Sequence, residues 1–552
     1  DGSWFELGPQ QRYSLSVRGG MGDVTYYVSA NYNDTQGTIP TAGSQDGGFR
    51  ANFDFSPVEG LSFALNPAYT RRSSRLVEDG NNADGMLLNI GRATAGNFKG
   101  GKGEDCDGVD VLCVTNKYIF DSENTSVSDR FTTGFNINYN PTEALSNRFS
   151  VGWDYLVLKN EDFQPWGYLR APGGLYNLDQ QSRQKLSLDY TGSFRNNFGQ
   201  DLVSTFSWGG QIFRDRFRAQ ADYVENFAGP GRPTLESGGS RPRDEASDAV
   251  VAETNAGIFF QEVLGWQDRL FFTGGLRVDG NSAFGDDFGL QFYPKASLAY
   301  VLSDYDFWPQ ALIETFKLRA ALGESGKAPG AFDRLRTWSP VSHDDNQPGF
   351  TPLDVGNENI GPERTREIEF GFDASALQGR VGLEATYYSA KTTDALVPVT
   401  LPPSTGILAS SSQNIGELET SGFEFQLSGI LVQNEILEWS ARANLSFMDS
   451  EALDLNGELI SGDNKAEIRE GEVVPVYTGR VITNPNDFAD PEYEDGVIGP
   501  VNPQQLYGLS TSLVLWDQLI ADVLLEHQGG HYLPQYTGYQ NGRRGVWYPC
   551  YD

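Results

Sequence analysis

Few side chains in this sequence are both reactive in type and grouped closely enough to do covalent chemistry. Its three histidines, His343, His527 and His531, are scattered. The HDDN stretch at 343–346 reads as a solvated turn, because a zinc site needs three or four donors converging on one point. A serine-nucleophile elbow is approached only by fragments such as GESG at 323–326, which lack the strand-to-helix turn that exposes such a serine. No catalytic residue and no metal ligand is assigned, and the chain is not expected to be an enzyme.

Four acidic stretches could turn several oxygens toward Ca²⁺: EDCDGVD (104–110), GDD (285–287), SGDN (461–464) and DFADPEYEDG (487–496). None has the alternating acids, central glycine and distal glutamate of a calcium loop. Solvated loop acids are the favoured reading, with one Ca²⁺-holding outer loop as the alternative. Such a loop would become more stable to heat and to protease as calcium is titrated in; a flat titration argues against it.

Loop aromatics are the better hint of binding, since sugar rings stack on aromatic faces and peptides lodge against them while polar neighbours orient the ligand. FQPWGYLR (163–170) offers Trp166, Tyr168 and Arg170 in one loop, and RTWSPVSHDDN (336–346) offers Trp338 with Asp344 and Asp345 in another. These six are the candidate ligand-binding residues; loop self-packing is the alternative for each. Cys106 and Cys113 flank a Gly/Asp-rich segment and are expected to form a local disulfide, with two free thiols as the alternative. Cys550 has no evident mate.

Composition narrows the partners. Asp and Glu number 74 against 41 Lys and Arg, a formal charge of −33. That balance speaks against nucleic acid, whose binders need a basic footprint. The longest apolar run, Leu298 to Leu302, is five residues, whereas a membrane helix needs about 20. With 63 glycines and 69 aromatics the chain favours turn-rich β structure, so an all-β class is expected.

The elements agree. In FTTGFNINYN, Phe131, Thr133, Phe135, Ile137 and Tyr139 face one way and Thr132, Gly134, Asn136 and Asn138 the other. The same dyad predicts strands near 10–19, 22–35, 47–56, 59–72, 127–140, 146–158, 183–195, 199–220 and 250–264. Nine more are predicted near 268–279, 290–303, 311–324, 364–374, 379–391, 413–430, 437–450, 504–515 and 518–529. Tight turns alternate with long excursions at 73–126, 221–249, 325–363 and 451–503. An outer-membrane barrel has short turns at one rim and long loops at the other, and strands of about 9 to 11 residues suffice to cross the hydrocarbon. The expectation is a transmembrane antiparallel β-barrel, with Trp153, Tyr155, Trp266, Trp439 and Trp516 in its aromatic girdles.

On these residues rests a resemblance. QRYSLSVRGGMGDVTYYVSANYNDTQGTI (11–39), DRLFFTGGLRVDGNSAFG (268–285), KLRAALGESGKAPG (317–330), NENIGPERTREIEFGFD (357–373), NIGELETSGFEFQLSG (414–429) and LLEHQGGHYL (524–533) resemble, in order, barrel segments of SusC/RagA-type TonB-dependent outer-membrane transporters. The resemblance implies a barrel of about 22 strands, of which about 18 are present here. Residues 1–552 would then be barrel alone, lacking the N-terminal plug, the first strands and the last ones. It implies the outer membrane of a Gram-negative bacterium, no cofactor, and import of oligosaccharides or oligopeptides. The implied partners are the TonB–ExbB–ExbD complex, engaged through the missing N-terminal region, a SusD-like lipoprotein and outer-membrane lipid. An adhesive surface barrel binding a partner through its loops, and an iron-chelate receptor of the same fold, are the alternatives.

Overall fold

In the computed structural model the described residues are 5–78, 85–86, 116–168, 171–231, 234–236, 238–240, 247–285, 289–343, 347–407, 410–462, 466–487 and 490–535. They fold almost entirely as β structure in two compact units, residues 1–193 with 209–256, and residues 194–208 with 257–552.

The first unit begins with the antiparallel strands β1 (Gln10–Met21), β2 (Val24–Gln36) and β3 (Gly43–Val58). The next crossing is broken into β4 (Leu61–Leu65) and β5 (Ala68–Leu76). Pro67 sits in the gap, where its missing N–H cannot continue a ladder; its carbonyl still accepts from the Ala51 N–H. A short helix α1 (Asn116–Asp121) precedes β6 (Glu123–Tyr139), β7 (Leu145–Gln164), β8 (Leu175–Phe198) and β9 (Leu202–Phe227). The three-residue β10 (Gly238–Ser240) pairs with the end of β9, and β11 (Ser247–Trp266) follows; residues 194–208 of β8 and β9 and 257–266 of β11 belong to the second unit.

In the second unit run β12 (Leu270–Asn281), β13 (Gln291–Val301) and β14 (Ile313–Lys327). A separate hairpin, β15 (Thr337–His343) and β16 (Gln347–Asp354), lies within the excursion that follows. Then come β17 (Glu363–Ala376), β18 (Val381–Thr400), β19 (Ser410–Gln433) and β20 (Leu437–Asp454). The last long excursion folds into a four-stranded sheet, β21 (Ile460–Ser461), β22 (Ala466–Ile468), β23 (Val476–Ile482) and β24 (Tyr493–Pro500). The strands β25 (Gln505–Leu515) and β26 (Leu519–Gly529) complete it.

The main sheet counts 20 strands. Joining β4 to β5 and setting aside the short β10 leaves the 18 expected, each overlapping its predicted span. The strands differ in running further on the long-loop side: β7 continues to Gln164, β8 starts at Leu175 and β9 reaches Phe227. Apolar alternation stops there, and cross-strand ion pairs such as Arg71 with Asp129 and Lys391 with Glu417 stand where it ends. At the other end the turns are tight. Gln267 with Asp268 and Trp516 with Asp517 hold positive φ at both central residues, the twist that joins adjacent strands without splaying them.

Register gives each face a uniform character. On one face Phe370 stands opposite Tyr387, Tyr387 opposite Phe423, and Phe423 opposite Phe447. The next row on that face runs Leu318, Phe372, Ala385, Phe425, Leu445 and Tyr507. In the first unit Tyr26, Phe53, Leu65, Phe135 and Val151 line up likewise. These rings are bare: Phe370 is 57% exposed and Phe423 49%. Apolar surface in contiguous ranks is what a hydrocarbon solvent accepts and water does not. The opposite face reads Lys317, Asp373, Glu384, Gln426, Asn444, Gly508 and Glu526 across seven strands.

Leu445→Arg is therefore expected to cost up to about 2–4 kcal/mol of barrel stability if it lies near the bilayer midplane, while Asn444→Arg on the polar face is tolerated. Urea unfolding in lipid vesicles checks this; equal losses at the two neighbours would contradict the assigned facing.

Candidate functional site: the polar wall and the loop aromatics

The polar face is a built surface. Asp373 accepts ion pairs from Lys317 at 2.6 Å and Arg319 at 2.8 Å, and the Gln426 amide donates to Glu384 at 3.3 Å. Beside them a groove of about 490 Å³ is lined by Glu384, Glu424, Gln426, Asn444, Glu526 and neighbours, drawn from β18, β19, β20, β25 and β26. Its carboxylates and amides can hydrogen-bond a hydrated solute; none is positioned against a nucleophile. In the first unit the corresponding wall carries Arg130 with Asp154, Arg183 with Asp215, and Ser150 donating to Asn136 at 2.7 Å.

The loop joining β7 to β8 is a compact turn pinned to the end of β9. The Asn226 N–H donates to the Gly174 carbonyl at 3.1 Å and the Phe227 N–H to the Gly173 carbonyl at 2.7 Å. Gly174 has φ +77°, and a Cβ there would run into the Phe227 ring. Phe163, Val224 and Phe227 form a small buried cluster beneath, with Tyr176 packed against it. A pocket of about 390 Å³ opens beside it, lined by Gln164, Gly173, Leu175, Tyr223, Glu225 and Asn226 among others.

This geometry parts two of the expected ligand residues. Trp166 is 49% exposed at the loop surface, whereas Tyr168 is 2% exposed and packed within the loop. Arg170 lies outside the described residues. In the other unit Trp338 stands half exposed on the β15–β16 hairpin, with the Arg336 guanidinium 5.3 Å from its ring centre. Its partners in the expectation, Asp344 and Asp345, lie outside the described residues. The register adds a residue the sequence reading passed over: Phe350 pairs with Pro340 and falls on the same hairpin face as Trp338, 71% exposed. The signal was its alternation with Pro348 and Pro352, invisible until the loop is known to be a hairpin.

Cys106, Cys113 and Cys550 also lie outside the described residues, as do all or part of the four acidic stretches. Among the described residues no group of three His, Cys, Asp or Glu side chains is gathered for a metal.

A bare apolar face, a polar face, and short turns opposed to long loops fit what comparison finds. The model of the family described as TonB dependent receptor-like, beta-barrel matches residues 114–494. The chain belongs to that family. It is 28% identical over 510 residues to TonB-dependent receptor P26 of Formosa agariphila, covering 86% of this chain and 50% of that protein. It is 21% identical over 514 residues to TonB-dependent receptor SusC of Bacteroides thetaiotaomicron, covering 82% and 48%. The chain thus spans about half the length of these curated relatives. Among solved structures it superposes on the RagAB peptide transporter with a TM-score of 0.81 at 17% identity, covering 96% of this chain and 62% of that one. The ferric-catecholate receptor Fiu of E. coli gives 0.55 at 12% identity, covering 95% and 70%. The fold is that of a TonB-dependent receptor β-barrel, a protein of the Gram-negative outer membrane, and the family is one of receptors and transporters, not of enzymes.

Gly174→Val is expected to release the β7–β8 loop from β9, at a cost of about 1–3 kcal/mol in local stability. Limited proteolysis checks it: new cleavage near 165–174 with unchanged heat-modifiable migration of the folded protein.

Proposed function

We propose that this chain forms most of the barrel of a TonB-driven importer of oligosaccharides or oligopeptides. In this reading the barrel binds and encloses the solute and lets it pass without changing a covalent bond. Energy comes from the inner membrane through TonB–ExbB–ExbD, engaged by an N-terminal plug, and a SusD-like lipoprotein covers the outer mouth. The observation that carries it is the polar wall of Lys317, Asp373, Glu384, Gln426, Asn444 and Glu526 behind a hydrocarbon-facing sheet. A wall mixing both charges with amides suits hydrated, neutral or zwitterionic solutes. Exposed rings at Trp166, Trp338 and Phe350 suit sugar faces or apolar peptide side chains. The SusC relative and the better superposition on a peptide transporter than on the ferric-catecholate receptor lend support.

Deletion of the full reading frame is expected to abolish growth on one class of oligosaccharide or oligopeptide while growth on monomers and on ferric chelates continues. Trp166→Ala with Trp338→Ala should raise the solute concentration for half-maximal uptake about tenfold, the loss of about 1–3 kcal/mol per stacked ring allowing more. A defect confined to ferric chelates favours the siderophore-receptor reading, and no growth defect at all favours a surface barrel that only binds.

A further inference from the structure

The outward face of β9 carries an unusual run. Phe206 and Ile212, 40% and 44% exposed, belong to the apolar face, and Phe206 stacks on Trp208. The alternate positions point the other way: Gln211 donates to Asp189 at 2.5 Å, and Asp215 pairs with Arg183. Arg214, Arg216 and Arg218 therefore share the outward parity of Ile212, immediately beyond the apolar segment, and all three are exposed. The strand enters from the tight turn at 199–201, so about ten residues of it, the length that crosses the hydrocarbon, end near Ile212. The arginines stand at headgroup depth on the long-loop side.

Elsewhere, cations of outward parity on their own strands are paired. Arg71 pairs with Asp129 at 3.2 Å, Lys159 with Glu161 at 3.1 Å, Arg366 with Glu324 at 2.6 Å and Lys391 with Glu417 at 2.6 Å. Arg218 pairs with Asp248 through two hydrogen bonds of 3.0 and 2.8 Å. That contact holds the Asp248 carboxyl below the usual carboxylate range. Arg214 and Arg216 have no carboxylate partner among the described residues. Residues two apart on a strand place side chains about 6.6–6.8 Å apart on one face. Two guanidinium forks at that spacing, above a greasy strip, match an anion that is itself tethered to acyl chains.

We propose that Arg214 and Arg216 bind a phosphorylated lipid headgroup of the outer leaflet, with its acyl chains against the exposed Ile212 side chain. Guanidinium is the side chain suited to phosphate, because its planar fork donates two parallel hydrogen bonds to one anion. Arg218 is excluded from the pair by its bond to Asp248 and closes the site on the loop side. In a chain of net charge −33, this local reversal of sign gives an anionic leaflet a place to be recognised. The inference rests on the membrane placement and not on which solute, if any, is imported.

The full-length protein folded in neutral detergent is incubated with diphosphorylated lipid A, with its dephosphorylated form and with inorganic phosphate, and bound lipid is counted by native mass spectrometry. The wild type is expected to retain diphosphorylated lipid A. Arg214→Gln with Arg216→Gln should weaken retention about tenfold, while Arg214→Lys with Arg216→Lys keeps part of it, and binding should fall as salt rises. Lys185→Gln, on the polar face of β8, should change nothing. Only the heat-modifiable, folded fraction of each variant is compared. Equal retention by the Gln pair, or equal retention of dephosphorylated lipid, overturns the site as a phosphate reader. Displacement by inorganic phosphate at the concentration at which lipid A itself competes overturns the lipid assignment in favour of a free-phosphate site.

Discussion

Backbone N–H and C=O groups inside a bilayer have no water to turn to, and that one deficit shapes everything else in this protein. Each must find a partner on a neighbouring strand, at a cost of several kcal/mol for any left alone. The antiparallel ladders satisfy them along strands that continue beyond the membrane. Once the backbone is fixed in that form, the period of two leaves each side chain only two environments. The rows from Phe370 to Phe447 and from Lys317 to Glu526 are the two answers.

Where the hydrocarbon ends, the sheet changes its means of cohesion. Within the bilayer the apolar face is held by solvent matching, and single contacts such as Tyr387 against Phe423, at 5.0 Å between ring centres, add packing. Above it, ion pairs on adjacent strands take over, as with Arg71 and Asp129 or Lys391 and Glu417. Exposed pairs of this kind contribute little each, about 0–1 kcal/mol. Their role is to keep register where the oily alternation has stopped, so that loops are launched from ordered strand ends. Among the described residues Arg214 and Arg216 have no carboxylate in this pattern, and the proposed lipid phosphate would take that place.

Much of this was legible in the residues. All eighteen crossings, the tight turns opposite the long excursions and the facing of Leu445 against Asn444 follow from alternation alone, because a one-residue error would place charge in lipid. The break at Pro67 needed the structure, since a proline can also end or bulge a strand. So did the hairpin that carries Trp338 and Phe350, and the small sheet between Ile460 and Pro500. These loops face water on every side, so their sequence carries no period to read.

The candidate site divides in the same way. From sequence, Trp166 and Tyr168 are equivalent: two aromatics, two apart, in one polar loop. Tertiary structure separates them, because the backbone bonds of Asn226 and Phe227 to Gly174 and Gly173 fold the loop back and enclose the tyrosine while leaving the tryptophan bare. Sequence by itself determined the class, the membrane and the facing of the alternating segments in the eighteen predicted strands, since those depend on local periodicity and on a solvent that punishes mistakes. Which loop side chains are exposed, which polar groups meet across the wall and which arginines stand without a carboxylate were decided only by contacts between residues distant along the chain.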